Sequence, residues 1–132
     1  MPVKGQFVRD LQGGIGIVEM HFRTNFMALV GGGINPKWPK NQVKLWDDHT
    51  QRVIETLSYT GDVVAVRFRN DKLVVVLINK VYVYNFADMT LIDCLETSKN
   101  EEGLCALNPE TTTGVVAIPD KDEGAVRVRR YC

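Results

Sequence analysis

The residues able to do chemistry are few and scattered along the 132-residue chain. Two glycine runs, Gly13-Gly14-Ile15-Gly16 and Gly31-Gly32-Gly33, come first, because glycine-rich loops let backbone amides surround a phosphate. A Walker-type phosphate loop needs Gly-Lys-Ser/Thr and a helix after its glycines, and a dinucleotide fingerprint needs a third spaced glycine. Neither is present. The glycines read as turns with positive φ or as points of close backbone approach. Asp47-Asp48-His49 sets two carboxylates beside an imidazole, which could orient a general base, but its place between two apolar runs reads as a polar turn. His21 and His49 lack a second ligand at zinc spacing, and no serine or cysteine sits in a nucleophile elbow. Nothing points to an enzyme, a cofactor or a metal.

Cations and aromatics offer binding instead of catalysis. Lys37, Lys40 and Lys44 lie in and just after a long loop. Arg67 and Arg69 alternate, as do Arg127 and Arg129, with Arg130 following, and alternation sets such residues on one face of a strand. That pattern reads as a solvated outer face or a charge-protected edge, with a surface for anionic lipid or an acidic partner as the functional alternative. Pro36-Lys37-Trp38-Pro39-Lys40 frames an indole with prolines and lysines. Such an aromatic can anchor a partner protein, or it can fold back on its own sheet.

The elements that must position these residues are strands. Apolar residues alternate in short bursts between turn signals, at 5–10, 15–22, 26–30, 42–47, 51–59, 62–69, 72–78, 80–86, 90–96, 103–107, 114–119 and 124–131. "LVVVLINKVYVYNF" (73–86) reads as a hairpin whose first arm is buried on both faces. Its second arm, alternating Val81 and Val83 with Tyr82 and Tyr84, reads as half-covered. "VKLWDDHTQRVI" (43–54) matches "VYVYNFADMTLI" (81–92) without gaps, and "VRVRRYC" (126–132) begins a third copy. Val43, Val81 and Val126 head the copies, at offsets of 38 and 45 residues. A period of about 40 to 45 residues with four short strands is the signature of propeller blades, and Trp46-Asp47 ends its strand as the WD dipeptide of such repeats does.

The fold expected is all-β: a partial β-propeller of WD-repeat-like, four-stranded antiparallel blades, left unclosed. The single domain 1–132 divides into a last strand of a preceding blade (1–14), blades at 15–59 and 62–97, and an incomplete blade at 103–132. Fewer than three blades fall short of the four to eight that close a propeller, so the chain reads as a fragment of a longer protein or a truncated gene product. Unclosed blade edges invite self-association.

Bulk properties agree. Hydrophobic residues make up 45% of the chain, enough for a packed core. Sixteen basic residues balance sixteen acidic ones, which excludes a broad electrostatic platform for nucleic acid. Three cysteines without a C-x-x-C pair, Cys94, Cys105 and Cys132, fit a reduced intracellular setting. No run of about 18 apolar residues and no signal-peptide pattern is present, so the membrane contact expected is peripheral.

"GGIGIVEMHFRTNFMALVGGGINPKWPKNQVKLWDD", "VVAVRFRNDKLVVVL" and "KVYVYNFADMTLI…ETSKNEEGLCAL" together resemble the PROPPINs over almost the whole chain, from about Phe7 onward. These are seven-bladed propellers that bind phosphoinositides and act in autophagy, and their animal members are called WIPI proteins. The resemblance implies blades two and three, with the last strand of blade one and the start of blade four. The family's lipid pockets depend on an Arg-Arg-Gly motif preceded by Phe or Leu, between blades five and six. "RVRRYC" lacks both flanking features. The resemblance therefore implies phosphoinositide binding for the full-length parent and no lipid-binding residue in this chain. In similar proteins the loop within blade two helps recruit a large lipid-transfer protein of the autophagy machinery. The matching loop is Ile34 to Gln42, with Pro36, Lys37, Trp38, Pro39 and Lys40 as partner-binding residues. Some relatives carry Pro-Arg where this chain has Pro39-Lys40, so the charge is kept and the bidentate guanidinium is not. The implied location is cytoplasmic, peripheral to preautophagosomal, endosomal or vacuolar membranes. A generic WD-repeat interaction module with no membrane role is the alternative, and a small phosphate-using enzyme rests on the glycines alone.

Overall fold

A computed structural model of the chain describes residues 12–21, 24–69, 71–107 and 114–131. These form eleven β-strands and, among the described residues, no helix: β1 (Ile15–Met20), β2 (Phe26–Gly31), β3 (Gln42–Asp47), β4 (Arg52–Ser58), β5 (Val63–Phe68), β6 (Lys72–Leu77), β7 (Lys80–Asn85), β8 (Thr90–Glu96), β9 (Ala106–Leu107), β10 (Gly114–Pro119) and β11 (Val126–Tyr131). The strand expected at 5–10 lies outside the described residues. The strand expected at 103–107 shrinks to Ala106–Leu107. Its first half is diverted because the Asn100 amide takes both backbone groups of Leu104, accepting from the N–H at 2.8 Å and donating to the C=O at 3.0 Å.

Three antiparallel sheets result, in the orders β1-β2-β3-β4, β5-β6-β7-β8 and β11-β10-β9. The two four-stranded sheets repeat each other in detail. Each has an irregularity between its first two strands, at Ile15/Ile17 and Val63/Ala65, and another between its last two, at Leu45/Trp46 and Val83/Tyr84. The turn after β3 reaches positive φ at Gln51 (58°), and the turn after β7 does so at Met89 (56°), the residue that the gap-free repeat aligns with it. Asp47 and Asp48 are spent inside the first turn. Asp47 accepts from the His49 N–H (3.0 Å) and the Thr50 hydroxyl (3.1 Å), and Asp48 accepts from the Trp46 indole (3.3 Å).

The sheets pack face against face. Ala28, Val30, Val43 and Leu45 of the first sheet meet Val66, Leu73, Val75, Leu77 and Tyr84 of the second. The opposite face of the second sheet, with Val74, Val76, Val81 and Val83, meets Val116 and Ile118 of the third. β6 is buried along its whole length, as its unbroken apolar run implies. β7 departs from the half-covered reading. Val81 and Val83 are fully buried towards the third sheet, and Tyr84 is buried towards the first. The middle sheet is covered on both sides, so its alternation records side-chain size and not solvent.

Of the alternating arginines Arg69 departs from a solvated outer face, whereas Arg129 and Arg130 are exposed. Arg69 is 4% exposed and donates to Asp71 Oδ1 at 2.7 Å. Arg127 closes on Asp120 (2.6 Å), and Arg129 Nε stands 3.7 Å from Asp93. The Arg69–Asp71 pair lies in the turn between β5 and β6 and the Arg127–Asp120 pair within the β10–β11 hairpin, whereas Arg129 and Asp93 join the third sheet to the second.

Candidate functional site

The loop from Ile34 to Gln42 is seated on glycine. Gly14 donates its N–H to the Asn35 carbonyl (2.8 Å), and its own carbonyl accepts from Gly32 (3.1 Å) and Lys37 (2.9 Å). A short parallel bridge joins Gly14 to Pro36. Backbones can approach this closely only without side chains. A Cβ on Gly31 would run into the Trp38 carbonyl oxygen, and one on Gly14 into the Gly32 carbonyl oxygen. Gly33 plays the other role: its φ is +79° with open space around it, so it supplies the turn. The runs with no phosphate-loop context serve to dock a loop.

The far end of the loop is tied down as firmly. The Lys40 carbonyl accepts from the Val63 N–H on β5 (2.9 Å), and the Asn41 carbonyl accepts from the Tyr59 N–H (2.9 Å) while the Asn41 amide returns a bond to the Tyr59 carbonyl (2.9 Å). The loop thus spans from the first sheet to the start of the second. Between these anchors Pro36, Lys37, Pro39 and Lys40 are exposed. Trp38 is half-buried, which resolves its two readings as a compromise. One face lies towards Lys44, whose Nζ is 6.0 Å from the ring centroid and 3.1 Å from the Thr56 hydroxyl. The loop therefore brings together Lys37, Lys40 and an indole braced by Lys44. Ile34, at 98% exposure, belongs with them. Its signal in the sequence was an aliphatic residue alone among Gly, Asn and Pro.

The other chemistry-bearing residues stay apart from this surface. His21 is buried against aromatic rings, stacked on Phe86 with centroids 4.9 Å apart, and its Nδ1 is 3.1 Å from the Thr24 hydroxyl. His49 is exposed in the turn after β3. Cys105 sits in the seam between the second and third sheets, where burial pushes its thiol up to about 11. Among the described residues, no three His, Cys, Asp or Glu side chains gather in a way that could hold a metal ion.

The PROPPIN family model matches residues 12–126, which takes in the first two sheets, the seated loop, and β9 and β10 of the third. The chain belongs to the PROPPIN family. Among curated PROPPIN relatives it is similar to Autophagy-related protein 18e of Arabidopsis thaliana, 34% identical over 89% of this chain and 32% of that protein. It is also similar to Autophagy-related protein 18 of Kluyveromyces lactis, 30% identical over 87% of this chain and 23% of the relative. The chain thus spans no more than about a third of these relatives. Solved structures of like fold include Hsv2 of Kluyveromyces marxianus (TM-score 0.67, 21% identity, 89% of this chain and 35% of that one). Another is KlAtg21 in complex with the coiled coil of AgAtg16 (TM-score 0.69, 17% identity, 98% of this chain and 41% of that one). The three sheets are accordingly blades of an unclosed PROPPIN β-propeller.

Proposed function

We propose that this PROPPIN segment is a non-enzymatic scaffold within a phosphoinositide-effector propeller of autophagy, and that the seated loop Ile34–Gln42 is its partner-docking surface. The observation that carries the reading is the loop's construction: both ends are hydrogen-bonded to the sheets while Lys37, Lys40 and Ile34 remain in solvent. A rigid loop binds at low ordering cost, because its entropy is lost on folding. Its two lysines favour an acidic partner, and Trp38 and Ile34 give that partner an apolar foothold. The large lipid-transfer protein implied by the resemblance is the partner proposed. That KlAtg21 has been solved with an AgAtg16 coiled coil supports the view that a propeller of this fold serves as a protein platform.

On this reading phosphoinositide membrane binding is a property of a full-length parent protein, and the location proposed is the cytoplasm, peripheral to preautophagosomal, endosomal or vacuolar membranes. A charge-reversed Lys37→Glu/Lys40→Glu chain tests the docking surface. Pull-down of the lipid-transfer protein is expected to fall at least about tenfold, roughly 1.4 kcal/mol, with the fold intact by circular dichroism. Undiminished capture would remove the loop from the interface and favour a generic interaction module. In flotation with vesicles containing phosphatidylinositol 3-phosphate, the chain is expected to stay at the bottom of the gradient. Specific co-flotation would put a lipid site within these residues.

A further inference from the structure

We infer that the docking surface runs on from the loop to Ile78 in the second sheet, and that its occupant is an extended acidic segment of the partner. A carboxylate of that segment meets Lys40, and an aliphatic side chain about four residues along covers Ile78. The inference rests on the reading of the loop as the docking surface and adds the chemistry of what docks there.

The loop stands where the second sheet has a simple hairpin turn. Ten residues, 32–41, separate β2 from β3, whereas two, Ile78 and Asn79, separate β6 from β7. The last two residues of the loop keep the ties of that turn. The Lys40 carbonyl accepts from Val63 and the Asn41 carbonyl from Tyr59. In the second sheet the Ile78 carbonyl accepts from Asn100 (2.6 Å) and the Asn79 carbonyl from Thr97 (2.9 Å). Tyr59 and Thr97 each directly follow the last strand of their sheet. Lys40 and Ile78 are therefore structural equivalents whose side chains leave the same rim, and the loop is an insertion ahead of them.

Ile78 runs against local preference. Two-residue turns favour Gly, Asn and Asp, and a β-branched side chain gains nothing there. It is 38% exposed, whereas Leu77 beside it is 2% exposed. The bond from Asn100 holds the turn, so its backbone does not call for isoleucine. A residue that breaks a local rule without a packing gain marks a functional surface.

The path between the two is short and low. Lys40 is bonded to Val63, Val63 pairs with Leu77, and Leu77 adjoins Ile78. These steps limit the Cα separation to about 15 Å, which four to five extended residues span. Val63 and Leu77 are buried, and Gly61, where a Cβ would stand 3.7 Å from Leu77, adds no side chain. Asp62 is exposed beside Val63 and repels a carboxylate placed further along. Charge thus orients the occupant, its acidic end over Lys37 and Lys40 and its apolar end over Ile78.

Capture of the lipid-transfer protein is compared for Ile78→Asp, Ile78→Ala and Lys37→Glu/Lys40→Glu chains. Leu91→Asp, at an exposed aliphatic position on β8, is the control. Capture is expected to fall about tenfold for Ile78→Asp and about threefold for Ile78→Ala, with circular dichroism unchanged and the control at the wild-type level. Tiled peptides of the partner then locate the bound segment, and replacing its aliphatic residue with alanine should abolish the sensitivity to Ile78→Ala while keeping that to lysine reversal. If lysine reversal lowers capture while both Ile78 variants bind like wild type, the extension falls and the loop reading stands. If lysine reversal has no effect, both fall. A bound peptide without a carboxylate, or an equal loss in the Leu91→Asp control, would also overturn the inference.

Discussion

The hydroxyls of Tyr59 and Tyr84 lie 2.8 Å apart inside the seam between the first and second sheets. Tyr59 follows β4 at the edge of one sheet and Tyr84 comes from β7 of the other, and both are buried. Each ring fills apolar space, and each hydroxyl has the other as its partner.

Tyr84→Phe is expected to lower stability by about 1–3 kcal/mol, because the Tyr59 hydroxyl is left buried and unpaired. The double change to phenylalanine should cost less than the sum of the single ones, since it removes both polar groups together. Urea unfolding of the four chains measures the cycle, and strict additivity would contradict a direct bond.

Stability should fall in alkali. Burial raises the Tyr59 hydroxyl well above its ordinary value of 10.0, with its bond to Tyr84 adding to the effect. Burial, followed by the bond to Asp93, does the same for Tyr131. Cys105 is pushed from 9.0 to about 11. In each case the folded chain holds its proton at a pH where the unfolded chain has lost it. The stabilisation is therefore complete below the unfolded pKa and drains away as pH rises, beginning near 9 for the thiol and 10 for the phenols. The urea midpoint should decline from about pH 9 upward, and Cys105→Val together with Tyr131→Phe should flatten the slope.

Gly31→Ala and Gly14→Ala should each cost about 2 kcal/mol or more, since the added methyl meets backbone that the seated loop cannot move. Gly33→Ala meets no atom and pays only for its positive φ, about 1 kcal/mol. Thermal melting ranks the three. Limited trypsin digestion after Lys37 and Lys40 should accelerate for the first two alone.

Asp71→Asn removes the carboxylate shared by Arg69 and Lys72, whose side chains are 3% and 7% exposed. Because Asp71 itself is 46% exposed, water replaces part of what is lost, and the expected cost is about 1–2 kcal/mol. Glu101→Gln, which breaks the exposed pair with Lys99, should leave the urea midpoint in place.

Much of this architecture was legible in the chain. Period-two alternation located β3, β8 and β10 to the residue, because each sheet has faces of fixed character and turn residues interrupt the pattern between strands. The match of Trp46-Asp47-Asp48-His49 to Tyr84-Asn85-Phe86-Ala87 found the repeat, since equivalent turns demand equivalent backbone. The site was half legible. The order of Pro, Lys and Trp marked the loop, whereas the glycines that seat it could be read only as a turn or a close approach.

What the amino-acid order determined by itself is therefore local: where strands run, where they turn, and that one supersecondary unit recurs. The tertiary structure alone decided the relations between units. It set Tyr59 against Tyr84, Gly14 under Pro36 and Arg69 beside a carboxylate, and it covered β7 on both faces while leaving Val18 and Val128 bare. The reason is physical. Strand periodicity is written in neighbours two residues apart, but burial depends on which sheet arrives at the other face, and that is a property of the stack.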